Sequence, residues 1–305
     1  MVTTIEDVHA DVLACALRRL DGRSLAAASC ATAGLRALAA DPDTWRALCL
    51  AQWPSLALAA SQHHDLLSAI PPRRLFADAS PFPCPDSAAA AGELPLPRNL
   101  ISAVDVYCRG APLLSHVVET PACSAPWFLS SPFRVEALDC KKPAPVPAAA
   151  FSPAELELSW LVVDPARGRA VNVSSRRAVA MGRHWYTGEM MVRFAVVLGG
   201  CNFEATVACS EEAGHVSEIN LAVEDADGAA VSGEGTLRLL AAAMEGGRRG
   251  GEREREEAKA RYQAFVERKK GRKESKARRE ALVDLCCSAA SAVAVLAFIA
   301  TIVLR

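Results

Sequence analysis

The sequence predicts an α+β protein of several domains: N-terminal helices, a mostly antiparallel β-sandwich-like domain, a basic helix and a single transmembrane helix. Three observations predict this fold class. Apolar residues recur at helical spacing up to about residue 60, short β-branched and aromatic runs fill residues 99–246, and residues 285–304 carry no charge. We therefore expect five regions, which are 1–60, 61–98, 99–246, 247–281 and 282–305.

The N-terminal region has the apolar pattern of three helices. The first spans VHADVLACALRRL, and the second spans SLAAASCATAGLRALAA after the break at Asp21-Gly22. The third follows Asp41-Pro42, because Asp can cap a helix and Pro suits its first turn. The apolar positions of these helices are Val8, Leu13, Leu17, Leu20, Leu25, Leu35, Leu38 and Trp45.

Residues 61–98 form a connector dense in proline, which lacks the backbone donor that helices and sheets use. Beyond it, short runs such as LISAVDVYC and EMMVRFAVVL are separated by turn signals such as Gly199-Gly200. In ELELSWLVVD, the apolar residues Leu156, Leu158 and Trp160 alternate with polar residues. This pattern predicts a mostly antiparallel sandwich or barrel.

The C-terminal region combines a basic stretch with an apolar tail. Residues 248–280 contain fourteen Lys or Arg and seven Glu, a balance of +7, and they predict a solvated helix interrupted at Gly271. Residues 285–304 are 20 uncharged residues, enough to cross a hydrocarbon core of about 30 Å. We expect a single-pass tail anchor that contacts membrane lipid and holds the protein on the cytosolic face of a membrane. A buried C-terminal helix is the alternative, and without insertion the protein is nuclear or cytosolic.

The segment VHADVLACALRRLDGRSLAAASCATAGLRALAADPDTWRALC resembles an F-box, the helical motif that docks a protein on a Skp-type adaptor in cullin-based ubiquitin ligases. The residues that match the leucines and the tryptophan of the family pattern are Leu13, Leu17, Leu20, Leu25, Leu38 and Trp45. The chain departs from the pattern at Val8-His9, where the family has Leu-Pro. It departs again at Gly34-Leu35, where the family has a basic residue followed by Trp.

Longer blocks, among them LISAVDVYCRGAPLLSHVVET and SSRRAVAMGRHWYTGEMMVRF, resemble a plant F-box subfamily with a β-rich C-terminal domain and, in some members, a hydrophobic tail. The resemblance covers nearly the whole chain. It implies that the eight apolar positions of the N-terminal helices, within residues 5–53, bind a Skp-type adaptor and through it a cullin. It also implies that the β-rich domain recruits a target protein for ubiquitination. Packing of the helices on the β-rich domain is the alternative, since periodicity fits both.

The sequence contains no catalytic constellation, so we do not expect an enzyme. GxxxxGKS, GxxxxGKT and GxSxG are absent, and the pair His63-His64 stands without spaced Cys or Glu ligands. We therefore expect no metal and no cofactor, and the ubiquitin chemistry is expected from partners. The basic stretch carries no groove-reading motif, and an adjacent membrane would account for its charge, so we do not expect nucleic acid as a partner.

The stretch SSRRAVAMGRHWYTGE concentrates arginine and aromatic residues near one hairpin. These residue types are enriched at binding hot spots, so the stretch is the candidate surface for a target protein. Aromatic residues in the core with arginines at the surface are the alternative. The competing function is a lectin-like or scaffold module that acts at a membrane outside ubiquitination, and exposed aromatic residues beside Asn and Asp favour it. The candidate residues are Arg176, Arg177, Arg183, His184, Trp185 and Tyr186.

Overall fold

The computed structural model describes residues 8–62, 70–79, 82–83, 94–120, 123, 125–139, 151–210, 214–249 and 253–303. The helices in this part of the chain are α1 (Ala10–Leu17), α2 (Gly22–Ala28), α3 (Ala33–Leu38), α4 (Pro42–Gln52), α5 (Ser55–Gln62), α6 (Pro72–Ala79), α7 (Pro126–Ser130), α8 (Gly233–Glu245) and α9 (Arg253–Val303). The strands are β1 (Phe82–Pro83), β2 (Leu100–Cys108), β3 (Ala111–Thr120), β4 (Arg134–Leu138), β5 (Leu156–Asp164), β6 (Arg169–Asn172), β7 (Arg176–Arg177), β8 (Ala180–Arg183), β9 (Met190–Leu198), β10 (Cys201–Ser210), β11 (His215–Glu224) and β12 (Arg248–Arg249).

The N-terminal helices are short, and side-chain caps set where they begin. The Asp21 carboxylate starts α2 by accepting a hydrogen bond from the backbone N–H of Ser24 at 3.0 Å. Thr32 divides the predicted second helix, because its hydroxyl accepts a hydrogen bond from the backbone N–H of Leu35 at 3.1 Å and starts α3. The expected three helices are therefore four, α1 to α4.

Two antiparallel sheets form the β-rich domain. Sheet 1 has the strand order β3-β2-β5-β6, with β7 pairing with β5, and sheet 2 has the order β4-β11-β10-β9-β8. The predicted alternation in β5 is confirmed, since Leu156, Leu158 and Trp160 face the core between the sheets while Ser159 faces away from it. Sheet 2 and α8 contribute further large residues to this core, including Phe194, Phe203, Leu237 and Leu240.

The central strands β2 and β5 of sheet 1 are buried on both faces, because the N-terminal helices cover the face opposite the sandwich core. The apolar residues of this second face and of the helices form one cluster, which we call the shared core. The sheet contributes Ile101, Ala103, Leu161, Val163 and Ala170, and the helices contribute among others Leu25, Trp45, Trp53, Leu56 and Leu75. The helices thus have a fixed position relative to the sandwich.

Helix α9 continues through Gly271, so the expected interruption there is wrong. Its first part packs on β9 of sheet 2, with Phe265 fully buried. The Tyr262 hydroxyl donates to the Glu204 carboxylate at 3.3 Å, and Lys269 forms an ion pair with a second strand carboxylate, that of Glu224. The start of the basic helix is therefore docked rather than solvated, while residues 271–296 are exposed.

Within the described part of the chain, no helix is long and apolar enough to cross a membrane. The expected transmembrane helix and the tail-anchored location on a membrane are therefore wrong. Residues 285–304 include six Ala and two Ser, small residues that add little to the insertion free energy supplied by Leu, Ile, Val and Phe. The predicted contact with membrane lipid loses its basis with the anchor.

Candidate functional site

An apolar groove lies between α1 and α3 and is open to solvent. Four of the residues predicted to bind an adaptor, Val8, Leu13, Leu35 and Leu38, line it. The small residues Ala10, Gly34 and Ala37 and the cap Thr32 complete its lining. Gly34 and Leu35, which depart from the F-box pattern, therefore lie in the wall of this groove.

The other four predicted adaptor-binding residues point inward. Leu17, Leu25 and Trp45 are buried, and Leu20 is half-buried against the same core. Trp45 is 1% exposed. Its indole N–H donates to the carbonyl of Ala39 at 2.7 Å, and its ring meets the Phe76 ring edge-on at a centroid distance of 5.3 Å. These residues pack in the shared core and hold together the helices that form the groove.

A polar connection joins the helices to sheet 1 where α4 ends and α5 begins. The carboxylate of Asp105 in β2 is fully buried and accepts hydrogen bonds from the Ser55 backbone N–H at 2.8 Å and the Ser55 hydroxyl at 2.5 Å. It accepts a third hydrogen bond from the Ser115 hydroxyl of β3 at 2.6 Å. Burial raises the pKa of Asp105, against the effect of these hydroxyl groups, which lower it.

Two further contacts complete this connection, which we call the α4–α5 joint (Gln52, Trp53 and Ser55 with Asp105, Tyr107 and Ser159). The Trp53 indole N–H donates to the Ser159 hydroxyl at 3.0 Å, and the Tyr107 hydroxyl donates to the carbonyl of Gln52. The sequence interpretation missed Asp105. Its signal was a carboxylate in the middle of the apolar run LISAVDVYC, where burial requires hydrogen-bond partners.

The β8–β9 hairpin presents the aromatic pair of the predicted target-binding stretch. Trp185 is 89% exposed and Tyr186 is 80% exposed, and their ring centroids lie 5.6 Å apart. The His184 ring lies beside Trp185 at 6.3 Å. The alternative, in which Trp185 and Tyr186 fill the core, therefore does not apply. Trp160, by contrast, is fully buried.

Hydrogen bonds hold the hairpin tip in one shape. The backbone N–H of Thr187 donates to Nδ1 of His184 at 3.2 Å, and the backbone N–H of His184 donates to the carbonyl of Glu189 at 2.8 Å. The Glu189 carboxylate accepts hydrogen bonds from the hydroxyls of Thr187 at 3.1 Å and Ser217 at 2.7 Å, the latter on β11. The exposed rings of Trp185 and Tyr186 therefore extend from a turn that is stabilised by hydrogen bonds.

The predicted target-binding residues do not form one cluster. Arg183, His184, Trp185 and Tyr186 belong to the β8–β9 hairpin of sheet 2, whereas Arg176 and Arg177 form β7 on sheet 1. Arg176 donates to the Glu157 carboxylate at 2.9 Å, and its guanidinium lies 4.6 Å from the centre of the Tyr107 ring. Arg176 therefore supports the α4–α5 joint, and Arg177 is exposed.

The described residues contain no group of three or more His, Cys, Asp and Glu side chains that could hold a metal ion. The pair His63-His64 lies outside the described residues. Burial raises the pKa of the Cys49 and Cys209 thiols to about 12, which keeps both in the unreactive thiol form at neutral pH. These positions therefore offer neither a metal site nor a thiolate nucleophile.

The described residues thus combine a helical unit that carries an open apolar groove with a β-sandwich whose β8–β9 hairpin exposes two aromatic rings. No family model and no solved structure matches the chain. The chain is 36% identical to the probable F-box protein At2g36090 of Arabidopsis thaliana, over 93% of this chain and 90% of the relative. It is 33% identical to the F-box protein At2g27310 of the same plant, over 93% and 92%, and 35% identical to its F-box protein At3g44326, over 90% and 83%. The chain belongs to the plant F-box protein family.

Proposed function

We propose that this chain is the substrate-recruiting subunit of a cullin-based ubiquitin ligase. Its helices bind a Skp-type adaptor, and its β-rich domain binds a target protein. The chain itself performs no ubiquitin chemistry, which its partners supply. The observation that carries the proposal is the apolar groove between α1 and α3, because it is an unpartnered apolar surface on the helical unit of an F-box family member.

The eight proposed adaptor-binding residues differ in exposure, and we assign them two roles. Val8, Leu13 and Leu38 keep part of their side chains in contact with solvent and are placed to contact the adaptor directly. The buried residues Leu25 and Trp45 act on the adaptor through the position of the helices. Val8 does not pack against the shared core, so its substitution is expected to remove binding with little loss of folding. Leu13 and Leu38 also pack against that core, so their substitution, like that of a buried residue, affects both binding and folding.

The test is co-purification of the full chain with a Skp-type adaptor. We expect the wild type to form a complex and Val8→Asp to lose it, because a carboxylate in an apolar interface must be desolvated. Leu58→Asp on α5 is the matched control, since the exposed fraction of Leu58, 41%, is close to the 37% of Val8, and Leu58 lies outside the groove. Retention of the complex by Val8→Asp, or failure of the wild type to bind at micromolar concentrations, contradicts the proposal.

For target recruitment we propose the β8–β9 hairpin, with Arg183, His184, Trp185 and Tyr186 as the contact residues. Exposed aromatic residues with arginine are typical of interface hot spots. The double variant Trp185→Ala, Tyr186→Ala is expected to keep the adaptor complex and the thermal stability of the wild type but to lose ubiquitination of targets in a reconstituted plant extract. Unchanged ubiquitination contradicts this assignment.

A carbohydrate-binding sandwich is the second candidate function, and the exposure of Trp185 and Tyr186 supports it. Their neighbours argue for a protein target instead. The flanking residues are Arg183, His184 and Thr187 rather than Asn or Asp. Binding of the full chain to a glycan array that disappears in Trp185→Ala would favour the sugar-binding function.

A further inference from the structure

The second half of α9 carries apolar side chains that are exposed to solvent. Residues 285–304 have no charge, and eight large apolar residues between positions 282 and 302 are at least 50% exposed. A helix over residues 282–299, at about 1.5 Å per residue and about 10 Å across, has a lateral surface of roughly 850 Å². Monomeric proteins rarely leave a largely apolar surface of this size in water, which indicates a contact surface.

Most of these large apolar residues share one face of the helix. Six positions follow each other at alternating spacings of three and four residues, which is the heptad pattern of a coiled-coil seam. Val293, Val295 and Ile302 flank these positions, so seven of the eight large apolar residues belong to this face and Val283 lies outside it. The opposite face, between residues 284 and 294, has the small or polar residues Asp284, Cys287, Ala290, Ser291 and Ala294. The six positions, which we call the apolar seam, are Leu282, Leu285, Ala289, Ala292, Leu296 and Ile299.

The apolar seam matches a second copy of itself in the antiparallel direction. One alignment of two antiparallel helices pairs every seam residue with a residue of similar size. The paired residues are Leu282 with Ile299, Leu285 with Leu296, and Ala289 with Ala292. Large side chains thus meet at both ends of the contact, and alanines at its centre allow the two helix axes to approach closely. A two-fold contact of this kind is closed, so it ends at two copies.

Arg278 favours the antiparallel over the parallel direction. It continues the spacing of the apolar seam towards the N-terminus and is exposed. In an in-register parallel pair, its guanidinium would face the same group of the second copy across helix axes about 8–10 Å apart. In the antiparallel alignment, the two Arg278 residues lie about 38 Å apart along the helices, far beyond the Debye length of about 8 Å.

We propose that α9 pairs through the apolar seam with α9 of a second copy of this chain, in the antiparallel direction. The contact makes the protein a two-fold symmetric dimer, with one folded unit at each end of the paired helices. This inference does not rest on the proposed function. Where that function also holds, the dimer carries two apolar grooves and two β8–β9 hairpins, and it binds a multivalent target more tightly than one copy does.

Sedimentation equilibrium of the full chain at micromolar concentrations tests the dimer. Leu285→Asp and Leu296→Asp are each expected to weaken it by about tenfold or more, because the new carboxylate must be desolvated in the seam. Val283→Asp is the matched control, since Val283 is 59% exposed, lies outside the seam and should leave the dimer intact. All three side chains are exposed, so the variants should fold, which thermal unfolding checks.

Three results of this experiment overturn the proposal. The first is a wild-type chain that stays monomeric, whether free or bound to phosphatidylcholine vesicles. The second is a particle that keeps growing as the concentration rises, because a two-fold contact is closed. The third is a loss of the dimer in Val283→Asp that equals the loss in the two seam variants.

The direction of pairing is tested with opposite charges. Leu285→Glu and Leu296→Lys are each expected to weaken the dimer, whereas the double variant places the new carboxylate opposite the new ammonium group when the helices are antiparallel. We expect the double variant to dimerise about tenfold more tightly than either single variant. In a parallel pair, like charges would face each other in the double variant. A double variant that dimerises no better than the single variants therefore overturns the antiparallel pairing.

Discussion

Asp105 of β2 joins the helices to sheet 1 through buried hydrogen bonds. Its carboxylate is fully buried and is the acceptor for Ser55 of α5 and Ser115 of β3. Burial raises its pKa above the ordinary value of 3.8. Burial therefore disfavours the ionised form by more than the three hydrogen bonds favour it.

We expect Asp105→Asn to change how stability depends on pH. Because the pKa of Asp105 is raised on folding, the folded protein binds more protons than the unfolded chain between pH 3.8 and the folded pKa. The free energy of unfolding of the wild type therefore contains a contribution that falls as pH rises through this interval. The amide does not titrate, so the difference between variant and wild type should shift in favour of the variant with rising pH.

Urea unfolding of both proteins from pH 4 to pH 8 measures this difference. The change of this difference with pH is the readout, because the amide of the variant does not titrate. A difference that stays constant, or that shifts in favour of the wild type as pH rises, contradicts the role assigned to Asp105.

Trp45, which is buried, and Trp185, which is exposed, give a second prediction for single residues. Trp45→Ala removes a fully buried ring and should lower the free energy of unfolding by about 3–5 kcal/mol. Trp185→Ala removes an exposed ring and should change it by less than about 0.5 kcal/mol. Chemical denaturation of the two variants checks both values, and similar losses in the two would show that the ring exposures differ from those described.

At the scale of single elements, the N-terminal helices depend on tertiary contacts. The helices α1 to α3 have six to eight residues, which is too short for stability in isolation. A Cβ added at Gly22 would lie 2.1 Å from the Phe76 ring, so α2 and α6 touch at a position that requires glycine. Each helix is therefore held by its neighbours and by the sheet beneath.

Helix α9 gives a prediction for a single element, because its first part packs on sheet 2 while residues 271–296 are exposed. Phe265→Ala should lower the free energy of unfolding by about 3–5 kcal/mol, because Phe265 is fully buried where α9 packs on sheet 2. Val266→Ala is the adjacent control, since Val266 is 42% exposed, and it should cost less than about 1 kcal/mol. Equal effects on thermal unfolding would mean that α9 does not dock on the sheet.

At the scale of the whole molecule, the shared core couples the helices to the sandwich. We therefore expect one unfolding transition, with the same midpoint for tryptophan fluorescence and far-ultraviolet circular dichroism. Leu161→Ala, on the face of β5 that contacts the helices, should lower that single midpoint and cost about 2–5 kcal/mol. Separate transitions for the two signals would show that the two parts unfold independently.

Features that follow from local periodicity could be predicted from the sequence. Features that depend on which other part of the chain a strand packs against could not. The alternation of Leu156, Leu158 and Trp160 identified the inner face of β5. The same alternation marked Ser159 as outward and polar, yet it faces Trp53 in the shared core. The role of Arg176 was missed for a related reason, because nearness in sequence to Trp185 does not reveal that β7 and β8 belong to different sheets.

The tail shows a different limit of sequence reasoning. Its length and lack of charge fit a bilayer, but a length criterion does not weigh how many of the residues are Ala and Ser. The break at Thr32 was missed because a cap residue inside an apolar pattern acts through one hydrogen bond, which periodicity does not register.

The shared core also sets an order of events at the ribosome. Translation releases residues 8–79 first, but the sheet residues that cover these helices extend to Ala170. A nascent chain that stops before β5 lacks the Ser159 hydroxyl that accepts the Trp53 indole N–H, and one that stops before β6 lacks Ala170 of the shared core. If the proposed function is correct, adaptor binding is therefore expected only after the chain has grown through β6.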